Sequence, residues 1–239
     1  MLLNELTVTN YKFSDLVDVV EFSKILDSFY SATGIPNGLI AIDGEVISQS
    51  GWISACENFH KVSTERKKNC LKSNFKLIEN IRDGEITTSL CKNGLIDYAT
   101  PIIIKEQRIA TLFLGQVLTK SPNLKSFEKQ SNKFNFDKKS YLKAIKEVPI
   151  VSNDKIQSSI KCIVSIAQML AQNGLSKLEH FELEKNLLNS NKKVIHLSDI
   201  LDFSPNGIGW SNVKGEIEYL NHQFTKLFGY EKDDIPTLD

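Results

Sequence analysis

Asp97 and Gln116 each stand among apolar neighbours in stretches that alternate like strands. In 95–103 the odd positions are Leu95, Asp97, Ala99, Pro101 and Ile103. In 110–118 the even positions are Ala110, Leu112, Leu114, Gln116 and Leu118. Side chains alternate along a strand, so each set is one face carrying a single hydrogen-bonding side chain. A two-residue turn at Glu106-Gln107 sets Asp97 directly opposite Gln116 across a hairpin. Buried polar groups need partners. Either the two satisfy each other or a backbone turn, or a small bound molecule supplies the bonds.

Trp52, Phe59 and His60 are a second constellation: two apolar walls and one donor/acceptor, suited to a small, weakly polar ligand. The competing reading is core packing for the two aromatics and a surface or backbone-bonded histidine. Cys56, His60, Cys70 and Cys91 are the available zinc or iron–sulfur donors. Their spacings, with three, nine and twenty residues intervening, match no closed zinc signature. Metal binding, a redox-reactive thiol and buried structural cysteines all remain open for them, and no cofactor is expected. Cys162 falls on a long helix and reads as packing. Lys92-Asn93-Gly94 is a turn, with Asn93 at the rim of any pocket beside it.

Several chemistries lack their residues. The chain has no glycine-rich phosphate loop, no Gly-x-Ser-x-Gly elbow, no His-Glu-x-x-His and no nucleotide fingerprint. His180 lies on a helix of the kind that carries phospho-accepting histidines, but no proline-containing kinase box follows it. No acid/base or nucleophile constellation is visible, so an enzyme is not expected.

The elements that must position these residues follow from local signals. Asp15 or Asp18 can cap a helix running to about Thr33, with Phe22, Ile25, Leu26 and Phe29 as one apolar stripe and Gly34 as the stop. Strands are expected at 38–43 and 45–48 around Asp43-Gly44. Helices are expected over 52–82, with Ser63 or Thr64 able to cap the second and Asp83-Gly84 ending it. A meander of strands follows at 86–91, 95–104 and 108–118. Residues 119–152 read as polar helix with breaks at Pro122 and Pro149. From Asn153 a long helix reads to about His196. Ile160, Ile163, Ala167, Leu170, Gly174, Leu178, Phe181, Lys185 and Leu188 form a heptad seam with one four-residue stutter near Gly174. The first half of this helix is expected to pack on its own domain. The second, more polar half, 176–191, is expected to form a dimeric coiled coil.

Composition bounds the partners. The chain has 239 residues, 41% of them apolar, and 29 basic against 29 acidic residues. Zero net charge argues against a partner bound by phosphate neutralisation, such as a nucleic acid. The longest nearly apolar run, 162–171, is far short of the ~20 residues a membrane span needs. No secretion signal opens the chain, so the expectation is a reducing cytoplasm and free thiols for all four cysteines.

The motifs "SGWISACENFHKV", "NCLKSNFKLIENI", "CKNGLIDYATPIII" and "ATLFLGQVL" closely resemble the PocR sensory domain, a PAS-like module of bacterial signalling proteins. "FEKQSNKFNFDKKSYLKAIKEVPIVS" and the helix after it look like its C-terminal part, so the resemblance covers roughly residues 16–178. It implies an α+β fold, with a PAS-like antiparallel sheet flanked by helices. It also implies sensing of small hydrocarbon derivatives such as propanediol, in a pocket that takes in Trp52, Cys56, Phe59, His60, Cys91, Asn93, Asp97, Ala99 and Gln116. Many members carry a Cys-x-x-Cys ending at the position of Cys70; this chain has Lys67 at the first of those positions.

The tail, "ILDFSPNGIGWSNVKGEIEYLNHQFTKLFGYEKDDI", resembles the opening of an ordinary PAS domain. That implies strands at 207–212 and 216–220 and a helix from Asn221, with most of such a domain lying beyond residue 239. The expected organisation is a sensory core at 1–152, a connector helix at 153–196 and a partial PAS domain at 197–239. A homodimer through the connector and a covalently linked output domain are the expected partners. A redox or metal sensor using the three cysteines and His60 is the alternative.

Overall fold

A computed structural model of the chain describes residues 11–62, 68, 70, 72–73, 77, 81 and 84–235. It divides into two units, Met1–Ser176 and Lys177–Asp239.

The first unit opens with α1 (Phe13–Leu16) and α2 (Val19–Thr33). The Asp18 carboxylate accepts from the backbone N–H groups of Val20 and Glu21, satisfying two of the donors that a helix start leaves open. Gly34 ends α2 in the left-handed conformation, φ 68°, with its N–H on the Tyr30 carbonyl. Five strands follow: β1 (Asn37–Ile40), β2 (Val46–Ser50), β3 (Thr87–Leu90), β4 (Ile96–Ile104) and β5 (Gln107–Val117). They form one antiparallel sheet in the order β2-β1-β5-β4-β3. Asp43-Gly44 makes the first turn, where the Asp43 carboxylate accepts from Glu45 N at 3.0 Å. Beyond the sheet lie α3 (Leu124–Lys133), α4 (Lys138–Lys146) and α5 (Asn153–Asp202). This is the α+β fold the sequence implies: an antiparallel sheet flanked by helices.

One sheet face is closed by a large apolar core. Leu39, Tyr98, Ile102, Leu112 and Leu114 meet Phe22 and Leu26 of α2 and Ile156, Ile160 and Ile163 of α5. Burying each such side chain is worth about 1.5–3 kcal/mol, so this face holds the scaffold together. The opposite face carries Ile40, Ala99 and Phe113, packed with Leu77. At its end, Leu95 and Leu118 pack with Ala55 and Cys56 and with α3 and α4. Both faces of β4 and β5 are therefore buried.

The β4–β5 hairpin differs from expectation in its register. Ile104 pairs with Gln107, so the turn residues are Lys105 and Glu106, at φ 47° and 63°. This places the turn one residue earlier and gives it primed geometry without glycine. Two bulges then intervene, because the ladder steps from Ile102↔Ala110 to Ile103↔Arg108 and from Ile96↔Val117 to Asp97↔Gly115. Each skips one residue of β5, Ile109 and Gln116. Asp97 thus lies opposite Gly115, not Gln116.

Two helical expectations are also revised. Residues 55–60 form a π-helical segment, Ala55–His60. The capping residues Ser63 and Thr64, together with Lys67 and Asp83, lie outside the described residues. In α5 the buried stripe is Ile156, Ile160, Ile163, Ala167, Ala171 and Leu175. After Ala167 it takes Ala171 and Leu175 where the heptad seam put Leu170 and Gly174. A helix lying on a globular core follows its natural 3.6-residue turn, and the stripe drifts away from a 3.5-residue seam. Gly174 instead abuts α1: a Cβ there would lie 1.9 Å from the Leu16 carbonyl oxygen. The helix runs on to Asp202, six residues past His196.

The second unit holds the rest of α5, a hairpin of β6 (Gly209–Ser211) and β7 (Ile217–Leu220), and α6 (His222–Phe228). Trp210 stacks on Tyr219 across the hairpin with centroids 4.3 Å apart. The fully buried Asn221 organises it. Its Oδ1 accepts from Ile208 N at 2.8 Å and from Phe224 N at 3.0 Å. Its Nδ2 donates to the Leu201 carbonyl at 2.7 Å and the Asn206 carbonyl at 3.0 Å. No helix among the described residues is long and apolar enough to cross a membrane.

Candidate functional site

The sheet face opposite α2 and α5 is built around small residues. Gly38 of β1 pairs with Phe113 of β5, which pairs with Ala99 of β4. Gly115 pairs with Asp97 in the neighbouring row. A Cβ at Gly115 would lie 2.4 Å from Asp97 Oδ1 and 2.9 Å from its Cα, so only glycine lets the carboxyl lie there. A Cβ at Gly38 would lie 3.7 Å from Trp52 Nε1, which places the indole edge over the same face.

Asp97 and Gln116 are linked through the bulge. Asp97 Oδ1 accepts from the backbone N–H of Gln116 at 2.8 Å. Gln116 sits at φ 62°, a conformation that costs a non-glycine residue about 1–2 kcal/mol. Its side-chain Oε1 accepts from Ile53 N at 3.0 Å, just before the π-helical segment. One carboxyl therefore pins the bulge, and the bulge residue pins the chain that leads into the covering helix. Bulges of this kind commonly re-aim side chains next to functional sites.

Burial pushes the Asp97 carboxyl up to about 7, with the Gln116 N–H pulling the other way. It also pushes up the thiols of Cys56, Cys70 and Cys91, the last to about 11. The negative charge of Asp97 adds to the shift of all three. Thiols held in this way stay protonated at neutral pH and are poor nucleophiles. All four cysteines are unpaired. Among the described residues, no three of His, Cys, Asp or Glu converge to hold a metal ion.

His60, Phe59 and Asn93 point into a different cluster. His60 Nε2 is 2.9 Å from the Tyr141 hydroxyl, which donates to Gln130 Oε1 at 2.9 Å. Gln130 Nε2 in turn donates to the Asn93 carbonyl at 3.4 Å. On its other side, His60 Nδ1 is 3.8 Å from Cys56 Sγ. Phe59 packs on Phe136 at 5.4 Å and on Tyr141 at 5.1 Å. Phe59 also borders an open groove of about 290 Å3 between the π-helical segment and α4, shared with Asn58, Lys143 and Glu147.

The structure thus brings Trp52, Cys56, Cys91, Asp97, Ala99 and Gln116 to one sheet face and its cover. Phe59, His60 and Asn93 tie that cover to α3 and α4. Sequence reasoning missed Tyr141, whose partner is 81 positions away, and Gly115, whose glycine has no neighbouring turn signal. It also missed Lys61, whose ammonium lies 3.5 Å over the Trp52 ring centroid. A lysine beside a candidate histidine carries no signal of its own in the sequence.

The antiparallel sheet therefore has one face sealed by helices and buried polar groups on the other. The family of sensory domains found in PocR matches residues 15–175, and the chain belongs to that family. Among solved structures it is similar to the E. coli DhaR(N)–DhaL complex, at 8% identity and a TM-score of 0.34. That alignment covers 90% of this chain and 64% of that one, so this chain spans just under two thirds of the relative's length. It is also similar to the Rhodobacter sphaeroides LOV protein, at 11% identity and a TM-score of 0.27, over 65% of this chain and 97% of that one. No curated protein matches the chain.

Proposed function

We propose that the chain is the input part of a cytoplasmic bacterial signalling protein. Its sensory core binds a small hydroxyl-bearing hydrocarbon derivative, such as a short diol or alcohol, on the Asp97 face. The observation that carries this reading is the buried carboxyl of Asp97, bonded to the left-handed bulge residue Gln116. A hydroxyl donated to Asp97 competes with the Gln116 N–H for the same carboxyl. The bulge and Ile53 then respond, and with them the segment at Ala55–His60. A ligand that favours one of two packings shifts their populations by its differential affinity.

The relay in this reading runs along α5 at 153–196, through a parallel homodimer at 176–193. It continues into a partial PAS domain at 197–239 and a covalently linked output domain. Exposed Leu178, Phe181 and Leu188 support the dimer seam. The raised thiols favour ligand binding over the redox or metal alternative.

Titration calorimetry with 1,2-propanediol and related short diols and alcohols tests the proposal. Binding should occur, and Gln116→Leu, which releases Ile53 N–H and with it the covering segment, should weaken it about tenfold or more, the ~1–3 kcal/mol of a buried hydrogen bond. No heat from any short diol, alcohol or hydroxy acid, with wild-type protein folded, would refute it.

A further inference from the structure

The cover of the site carries an unpartnered indole N–H with an ammonium beside it. Trp52 Nε1 is buried and has no hydrogen-bond partner among the described residues. An indole N–H is a donor only, and leaving it buried and unpaired is costly. The Lys61 ammonium lies 3.5 Å over the same indole ring, half-buried. Among the described residues no carboxylate lies within ion-pair distance of it. Glu57, one turn back, acts on it only from farther away. The cation–π contact fixes the ammonium beside the indole edge, yet an aromatic face does not accept three N–H bonds.

Asp97 occupies another part of the site. It stands one row along from Gly38, Phe113 and Ala99 and faces the same side of the sheet as the Trp52 indole edge. The lining therefore has a donor-only end at Trp52 and Lys61, and an end at Asp97 that takes a hydroxyl.

We infer that the ligand is a short hydroxy-carboxylate, with its carboxylate on the Trp52 N–H and the Lys61 ammonium and its hydroxyl on Asp97. This rests on the proposal that the Asp97 face is the ligand site, and names the class of ligand it takes. A carboxylate offers two acceptor oxygens, one for the indole N–H and one for the ammonium, and the bond to the ammonium is charge-assisted. A neutral diol offers a single hydroxyl there and leaves the cation uncompensated. Burial already holds Lys61 below the usual ammonium range, and a bound anion would reverse that cost.

The test compares matched pairs by calorimetry on the full chain at pH 7.5: lactate against 1,2-propanediol, glycerate against glycerol, and 3-hydroxybutyrate against 1,3-butanediol. At least one acid should bind tenfold or more tighter than its diol. Lys61→Met, which keeps the stem over the indole and removes the charge, should bring that pair within about twofold, with an unchanged melting temperature. Trp52→Phe should weaken the acid more than the diol. If the diols bind as well as the acids to the wild type, or if Lys61→Met leaves the acid's advantage intact, the inference is overturned. The Asp97 site would then stand as a neutral-diol pocket. If neither class binds, both readings fall.

Discussion

Asp97→Asn isolates the charge of the buried carboxyl while keeping its acceptor. An amide Oδ1 can still take the Gln116 N–H now held at 2.8 Å, so the bulge keeps its anchor. The wild-type carboxyl titrates near 7 in the folded chain against 3.8 unfolded. Between these values the folded state holds a proton that the unfolded state has lost. Stability attributable to Asp97 therefore falls as pH rises from about 4 to about 7 and levels off above. At about 1.4 kcal/mol per pH unit, the loss between pH 5 and pH 8 is roughly 2–3 kcal/mol. The variant cannot ionise and lacks this slope. Its two new N–H groups carry a cost, but that cost is the same at both pH values and cancels in the comparison. Cys91 titrates near 11 and Cys56 higher still, so neither thiol contributes to this window. Urea unfolding followed by Trp52 fluorescence, in a Trp210→Phe background, measures both proteins at pH 5, 6, 7 and 8. The variant should gain on the wild type by about 2–3 kcal/mol across that range. Parallel profiles would show that Asp97 titrates as an ordinary surface carboxylate, and the buried-acid site would be wrong.

Gln116→Leu removes the acceptor of Ile53 N–H, so it should cost about 1–3 kcal/mol in chemical denaturation; unchanged stability would mean water replaces that bond. Gly174→Ala drives a Cβ into the Leu16 carbonyl and should cost about 2 kcal/mol or more, as overpacking does. A wild-type melting temperature in that variant would show that α1 does not rest on α5. Light scattering at tens of micromolar (an order chosen for weak association) should give a dimer that the double variant Phe181→Glu, Leu188→Glu turns into a monomer. A monomeric wild type would remove the coiled-coil relay.

Punctuation was legible in the sequence, and register was not. Asp18, Gly34, Asp43-Gly44 and Asn221 each act on backbone within a few residues, and each does what its local chemistry dictates. The β4–β5 pairing depends on which residues of β5 are skipped. Ile109 and Gln116 lie in a run buried on both faces, where alternation carries no information. Asp97 and Gln116 stood out as lone polar side chains, and the structure links them, but through a backbone N–H. The partner of His60 could not be read either. Tyr141 lies on a helix that docks through an aromatic cluster with Phe136, Phe127 and Phe59, and Phe59 comes from distant chain.

Asn221 turns the end of α5 into something like a keyed shaft. Its amide spends all four of its hydrogen bonds on backbone: the last turn of the helix at Leu201, the turn at Asn206, the strand entry at Ile208 and the start of α6 at Phe224. Backbone cannot rotate out of the way as a side chain can. The helix end, the hairpin and α6 therefore share a single anchor, and Asn221→Ala would release all of them from one another at once.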